Sequence, residues 1–357
     1  MSYAQTQAVS AREPNRFATS QSEIATMLSY RRAHGSAGEV EFLNRFIVPN
    51  VEHMLVGKDG MTAAYIQVIP NKDGSQSKTM WSCHTDTVHS EKGLSRQFVR
   101  HDVTGDLHKD DGEPLGADDG AGCWLLLQMM AAGVPGTYVF HRGEEKGGIG
   151  SSIIAAEYVE WLGQFDHAIA FDRRGTSSVI THQAGGRCCS DTFADQMSLL
   201  LTDEDDTYII APDDGGTFTD TAKYTKVIPE CTNISIGYEH EHSSSETLDV
   251  TYLLWLKDRM IAVFGSNTPP TLVAERDPKE VEYLPRYNSW NYGFDWDKKG
   301  GYSLGKWDDA PASAEEVVEM RWRELVRWVE TASPDEVAAL LLEMSEQIVY
   351  DKKGEVE

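Results

Sequence analysis

Four times along this chain a short apolar run ends in side chains that can ionise. Met80-Trp81-Ser82-Cys83 delivers His84-Thr85-Asp86, and Thr137–His141 leads into Glu144-Glu145. Asp166–Phe171 leads into Asp172, and Thr232–Ile236 into His240 and His242. Runs of this length and composition read as strands. A fifth cluster, Gly116-Ala117-Asp118-Asp119-Gly120, opens the apolar run Ala121–Ala132, which reads as a helix buried against a sheet. Ligands of open α/β sheets bind beyond the carboxyl ends of the strands. The pattern therefore predicts an α/β fold, a three-layer α/β/α sandwich around a mixed sheet, with His, Asp and Glu presented along one edge.

The flanking segments fit this plan. Ser22–Arg32 has helical spacing. Ser36-Ala37-Gly38-Glu39 is a capping-box pattern, opening a helix with Val40, Leu43, Phe46 and Ile47 as its apolar stripe. Met61–Ile69 reads as a strand, Ser151–Leu162 and Cys189–Leu201 as helices, and Asp249–Phe264 as a closing helix. Residues 1–20 are polar and aperiodic, an expected loose arm, and residues 21–266 form the expected catalytic domain. Beyond Ser266 the character changes. Residues 267–357 hold an aromatic stretch, Tyr283–Trp307, and two capped helices opening at Ser313 and Ser333, an appended C-terminal helical region.

Charge narrows the function classes. With 57 acidic against 32 basic residues, the net charge is -25. That disfavours nucleic acid and anionic membrane as partners, since both require a positive face. No run approaches the roughly 20 apolar residues of a membrane helix, and the N-terminus lacks a signal-peptide pattern. The five cysteines form no CxxC pair, so neither a disulfide framework nor a thiolate zinc knuckle is expected. A cytoplasmic location follows as an expectation.

Imidazole and carboxylate donors without thiolates suit zinc, with cobalt or manganese as alternatives. A paired site needs one shared carboxylate and private ligands for each ion, at a separation of roughly 3.5–4 Å. Asp118 would bridge, with His84 and Asp172 on one Zn2+ and Glu145 and His242 on the other. Asp86, two residues after His84 on an extended segment, would accept the second ring N–H and set the tautomer. Glu144 and Glu145 would point apart on an extended backbone, leaving Glu144 as general base. His182 and Arg187 are candidate substrate contacts. Asp213, Asp214 and Asp220 could meet a substrate amine, whereas Arg173, Arg174 or Arg187 facing the ions would mark a substrate carboxylate.

Together His84-Thr85-Asp86-Thr87, Gly116-Ala117-Asp118-Asp119, Glu144-Glu145 with Gly147–Gly150, Phe171-Asp172, and His242-Ser243 with Glu246 resemble the co-catalytic di-zinc peptidase superfamily of aminopeptidases, tripeptidases and carboxypeptidases. The resemblance covers residues 20–265. It implies that Asp118 bridges the metals, that Glu144 is the base, and that His242 rather than His240 is the last ligand. It also implies hydrolysis of a small peptide or amide by a metal-bridging hydroxide, with an aminopeptidase first. The alternatives are a deacylase or carboxypeptidase, or a metal-binding relative without activity. Gly120 stands where the tripeptidase branch usually has Lys, and there is no lid insert. Nothing in the sequence signals an oligomeric state.

Overall fold

The computed structural model describes residues 21–90, 94–102, 105–202 and 208–280. The expected N-terminal arm, the aromatic stretch and the two capped C-terminal helices lie outside the described residues. Helix α1 (Gln21–Leu28) buries Ile24, Met27 and Leu28. Helix α2 (Ala37–Phe42) starts as its capping pattern predicts. Ser36 Oγ accepts the Glu39 amide at 3.2 Å, and the Glu39 carboxylate turns back to the Gly35 amide at 2.6 Å. The apolar stripe differs from expectation at one position, because Val40 is 47% exposed while Glu39 is fully buried. Glu39 is drawn inward by Arg142, 2.7 Å away. A π turn at Leu43–Ile47 then shifts the register, so that Leu43, Phe46 and Ile47 reach the core.

An antiparallel hairpin, β1 (His53–Val56) and β2 (Thr62–Ile69), begins the main sheet. Strand β3 (Thr79–His84) follows, and the short pair β4 (Arg100–His101) and β5 (Leu107–His108) leads to α3 (Ala117–Ala131). Strand β6 (Gly136–His141), helices α4 (Ile149–Glu157) and α5 (Val159–Leu162), and strand β7 (His167–Arg173) continue the alternation. The next segment carries β8 (Ser178–Ile180), the small hairpin β9 (His182–Gln183) and β10 (Gly186–Arg187), α6 (Asp191–Leu201) and β11 (Ala211–Asp213). The last elements are β12 (Glu230–Ser235), β13 (Tyr238–Glu239), β14 (Thr247–Leu248) and α7 (Val250–Phe264).

The main sheet runs β1-β2-β6-β3-β7-β12-β8-β11, and β13, β14, β5 and β4 make a second, smaller sheet. Strands β6, β3, β7 and β12 are parallel neighbours. His84 pairs with His141, Met80 with Ala168, and Ser235 with Arg173. This shared register brings the carboxyl ends of all four strands to one edge. Alternation along the strands serves two cores. Trp81, Tyr138, Phe140 and Phe171 face the side covered by α1, α3, α6 and α7, and the Trp81 and Phe264 rings meet edge-on at 5.2 Å. Met80, Val139 and Ala168 face α4 and the turn at Tyr224. Helix α3 is buried along almost its whole length, which explains its lack of a polar face.

The chain after α7 stays on the core. The Glu230 carboxylate accepts the Glu275 and Arg276 amides at 2.8 and 3.1 Å, and His167 Nε2 lies 2.8 Å from the Val273 carbonyl. All five cysteines are buried and unpaired as disulfides. Among the described residues, no helix is long and apolar enough to cross a membrane.

Gly150 opens α4 where two backbones converge. A Cβ there would meet the Ala63 carbonyl oxygen at 2.2 Å and the Arg142 oxygen at 2.7 Å. Neither can move without shifting the sheet. Gly150→Ala is expected to destabilise the fold by about 1–3 kcal/mol, read as a lower urea midpoint at unchanged slope.

Candidate metal centre

The edge where β3, β6, β7 and β12 end holds the site. His84, the last residue of β3, is 1% exposed, and its Nε2 lies 3.0 Å from Asp118 Oδ1 and 3.5 Å from Asp172 Oδ1. His242 Nε2 lies 3.0 Å from Asp118 Oδ2 and 3.2 Å from Glu145 Oε1. The donor atoms of His84, Asp118 and Asp172 fall within 4.8 Å of one another, as do those of Asp118, Glu145 and His242. A third such group, His84 with Glu144 and Glu145, lies across the two. The shared member of the first two groups is Asp118. His240 is exposed and belongs to none of these groups. Both histidines sit in the left-handed region, with φ 57° and 62°.

Neighbouring groups hold these side chains. Asp118 and Asp119 interrupt the start of α3 with non-helical backbone angles, and their peptide bond is cis. Asp119 Oδ1 accepts the Gly122 amide at 2.9 Å and Oδ2 the His84 amide at 3.1 Å, so Asp119 joins the helix start to the end of β3. The buried Glu246 carboxylate accepts the Gly116 and Asp118 amides at 2.9 and 3.0 Å. Asp172 is clamped by Asn233, whose amide side chain accepts the Asp172 N–H at 2.8 Å and donates to its carbonyl at 2.6 Å. Tyr238 donates to Asp172 Oδ1 at 3.1 Å. Of these, Glu246 was visible as the end of the His-Ser-Ser-Ser-Glu pattern. Asn233 and Tyr238 had no signal beyond being polar in or after an apolar strand.

Two expectations change. The second ring nitrogen of His84 faces the Asp86 backbone oxygen at 3.0 Å, while the Asp86 carboxylate is 3.7 Å away. That carboxylate instead accepts the amides of Gly143, Glu144 and Glu145 at 2.8, 3.1 and 3.3 Å. The reason is the second change: Glu144–Lys146 is a 3-10 turn, not an extended segment, and its amides converge on one acceptor. The turn points Glu144 and Glu145 to the same site rather than apart.

The electrostatics are those of crowded acids. Burial, with Asp118 nearby, raises Glu145 to about 7, and burial above all raises Asp172 to about 6. Burial also pushes Glu144 well above the usual carboxylate range. Asp118 goes the other way, because hydrogen bonds from His242 and His84 outweigh its burial. His242 is raised to about 11 by Asp118 and Glu145. Glu145 Oε1 is buried and makes no hydrogen bond, the 3.2 Å approach of His242 notwithstanding. Cations would satisfy this oxygen and relieve the repulsion, and the imidazole and carboxylate donors are those that divalent zinc accepts.

A cleft opens on the donors, lined also by Arg173, Arg174, Gln183, Phe218 and Glu241. His182 and Arg187 are not in its lining. His182 is buried with Nδ1 2.9 Å from Thr181 Oγ1, and its strand neighbour Gln183 takes the cleft position. Arg187 pairs with Asp191 at 2.8 Å, at the start of α6. Asp220 is buried behind the site, 3.6 Å from His141 Nδ1.

No protein-family profile matches the sequence, and no curated protein matches it. Solved structures do. The aminopeptidase APDkam598 from the archaeon Desulfurococcus kamchatkensis superposes with a TM-score of 0.52 at 12% identity, over 68% of this chain and 95% of that one. PhTET1-12s, a dodecamer, gives 0.53 at 13% identity over 69% and 99%. The TET1 peptidase of Pyrococcus horikoshii, which can assemble into a tetrahedron or a large octahedral shell, gives 0.50 at 14% identity over 69% and 99%. These peptidases share the fold of this chain.

Two predictions follow from the supports. Asp86→Ala strands three amides in the Gly143–Glu145 turn and is expected to cost several kcal/mol, at about 1–3 kcal/mol for each buried donor left unpaired. Asp86→Asn, which keeps one acceptor oxygen, should lose less, measured by urea unfolding. His89, buried between Thr87 Oγ1 (2.6 Å) and Gln97 Oε1 (2.9 Å), packs under Gly116. Burial, then Arg32 and Lys109, lowers its pKa to about 3. The unfolded state therefore binds more protons between about pH 6.5 and 3, and the stability His89 contributes is lost as pH falls through that window. His89→Gln should flatten that limb of a stability profile.

Proposed function

We propose that this chain is a two-metal hydrolase of peptides or small amides, with an aminopeptidase as the first reading. The observation that carries it is the pair of donor sets sharing Asp118. His84 and Asp172 would hold one ion and Glu145 and His242 the other, with zinc suited to the donors. When bound, such ions supply Lewis acidity and lower the pKa of water.

The chain's own residues do the rest. Glu144 lies beside the donors, half-buried in the cleft wall with its backbone fixed through Asp86, a geometry suited to taking a proton from water and returning it to the leaving amine. The Asp86 carbonyl, facing His84 Nδ1, sets the tautomer that frees Nε2 as a donor atom. Asn233 and Tyr238 keep Asp172 oriented. A non-catalytic binding relative would have no use for Glu144. The deacylase or carboxypeptidase reading is favoured by a separate observation, the two arginines in the cleft.

The test is release of amino acids from a mixture of short peptides by zinc- or cobalt-loaded protein. Chelation should abolish it. Glu144→Gln should lower kcat by about 10²–10⁴ while metal binding, followed by calorimetry, stays intact. Equal release by loaded, chelated and Glu144→Gln protein rules out the hydrolase. Asp118→Ala should depress binding of both ions together, because it removes the shared donor. Loss of only one ion would show that the two sites are independent.

A further inference from the structure

We propose that Arg173 binds a carboxylate of the substrate, with Arg174 at the rim, so that the amide to be cleaved lies within a residue or two of a negative charge. This deepens the hydrolase reading and rests on it for the word substrate. Apart from the donor side chains and Glu144, the charged residues lining the cleft are Arg173, Arg174 and Glu241. Glu241 pairs through Oε1 with Arg174 Nη1 at 3.3 Å, so it neutralises Arg174 rather than Arg173. Its other oxygen is buried without a hydrogen bond, an acceptor the cleft also offers.

The setting of Arg173 is that of a preorganised anion holder. Its backbone is fixed as the last residue of β7, paired with Ser235, and its carbonyl accepts the Ile236 amide at 2.8 Å. Its one acid partner among the described residues, Asp213, is outside the cleft lining and reaches Nη2 at only 3.4 Å. Asp213 is itself held by Ser178 Oγ and the Gly215 amide, both at 2.8 Å. Asp213 thus orients the guanidinium from behind without satisfying it. Arg173 Nε is buried and makes no hydrogen bond among the described residues. A guanidinium offers five donors in a fork that matches a carboxylate.

A second orphan lies on the same wall. Gln183 is 6% exposed, lines the cleft, and its Oε1 is buried without a hydrogen bond. It can accept an N–H next to the substrate carboxylate. Arg173 and Asp172 line the same cleft, so a carboxylate on Arg173 and a carbonyl at the donors share one pocket. The carboxylate could be the C-terminus of a dipeptide or an N-acyl amino acid, or the side chain of an acidic residue.

The experiment compares alanyl-alanine with alanyl-alaninamide, and glutamyl-p-nitroanilide with leucyl-p-nitroanilide, on the zinc-loaded full chain. Calorimetry with the two dipeptides on chelated protein gives a readout that needs no turnover. The expected result is a preference for the carboxylate-bearing member of one pair by about 10- to 100-fold, carried by KM and matched in Kd. Arg173→Leu should erase that preference, and Arg173→Lys should restore part of it. A preference confined to the anilides assigns the carboxylate to a side chain, and one confined to the dipeptides assigns it to the C-terminus. Equal behaviour within both pairs, in turnover and in binding, overturns the proposal without any variant having to fold. Carboxylate-dependent binding with no hydrolysis would retain the cradle and refute the hydrolase instead.

Discussion

The structure turns on one constraint: Asp118 is surrounded by more negative charge than a buried space tolerates alone. Asp172, Glu144 and Glu145 approach it from the ends of β7 and β6, while Asp119 and Glu246 stand behind it. Burial and mutual repulsion raise the pKa of each of these five, and only the two histidines beside Asp118 keep its own low. Backbone amides that donate to carboxylates brace the surroundings of this cluster. Glu246 takes two of them, Asp86 three, and Asp119 two more. Acids that cannot relax apart are suited to cations, since the repulsion that destabilises the bare site becomes attraction once positive charge enters.

The same economy of backbone groups explains why the sheet matters. Parallel pairing sets His84 beside His141 and Ser235 beside Arg173, so four strands deliver their following residues to one edge. Side chains set on rigid strand ends need little reorganisation to meet a ligand. Arg173 inherits this placement from its neighbour. Both it and Asp172 line the cleft.

Much of this was legible in the residues, and the reasons are specific. The strand endings at His84 and Asp172 were visible because apolar runs break abruptly into ionisable ones. The buried helix α3 announced itself by having no polar face. Val40 is exposed because Glu39 takes the inward position to meet Arg142, a partner 103 residues away. Asp86 was misassigned for a similar reason: a 3-10 turn presents three amides, and a carboxylate beside them satisfies those rather than one ring nitrogen. His182 lost the cleft to Gln183 by one step of strand alternation, which no single-sequence pattern resolves.

The sequence by itself determined the elements, their order and the donor types, because periodicity and composition are local properties. It also determined that imidazole and carboxylate, without thiolate, would meet along one sheet edge. Only the tertiary structure decided that Asp118 stands between two donor sets, that Asp86 serves the backbone, and that Arg173 rather than Arg187 faces the cleft. Those outcomes rest on distances between residues far apart in the chain, and such distances exist only after the strands have paired.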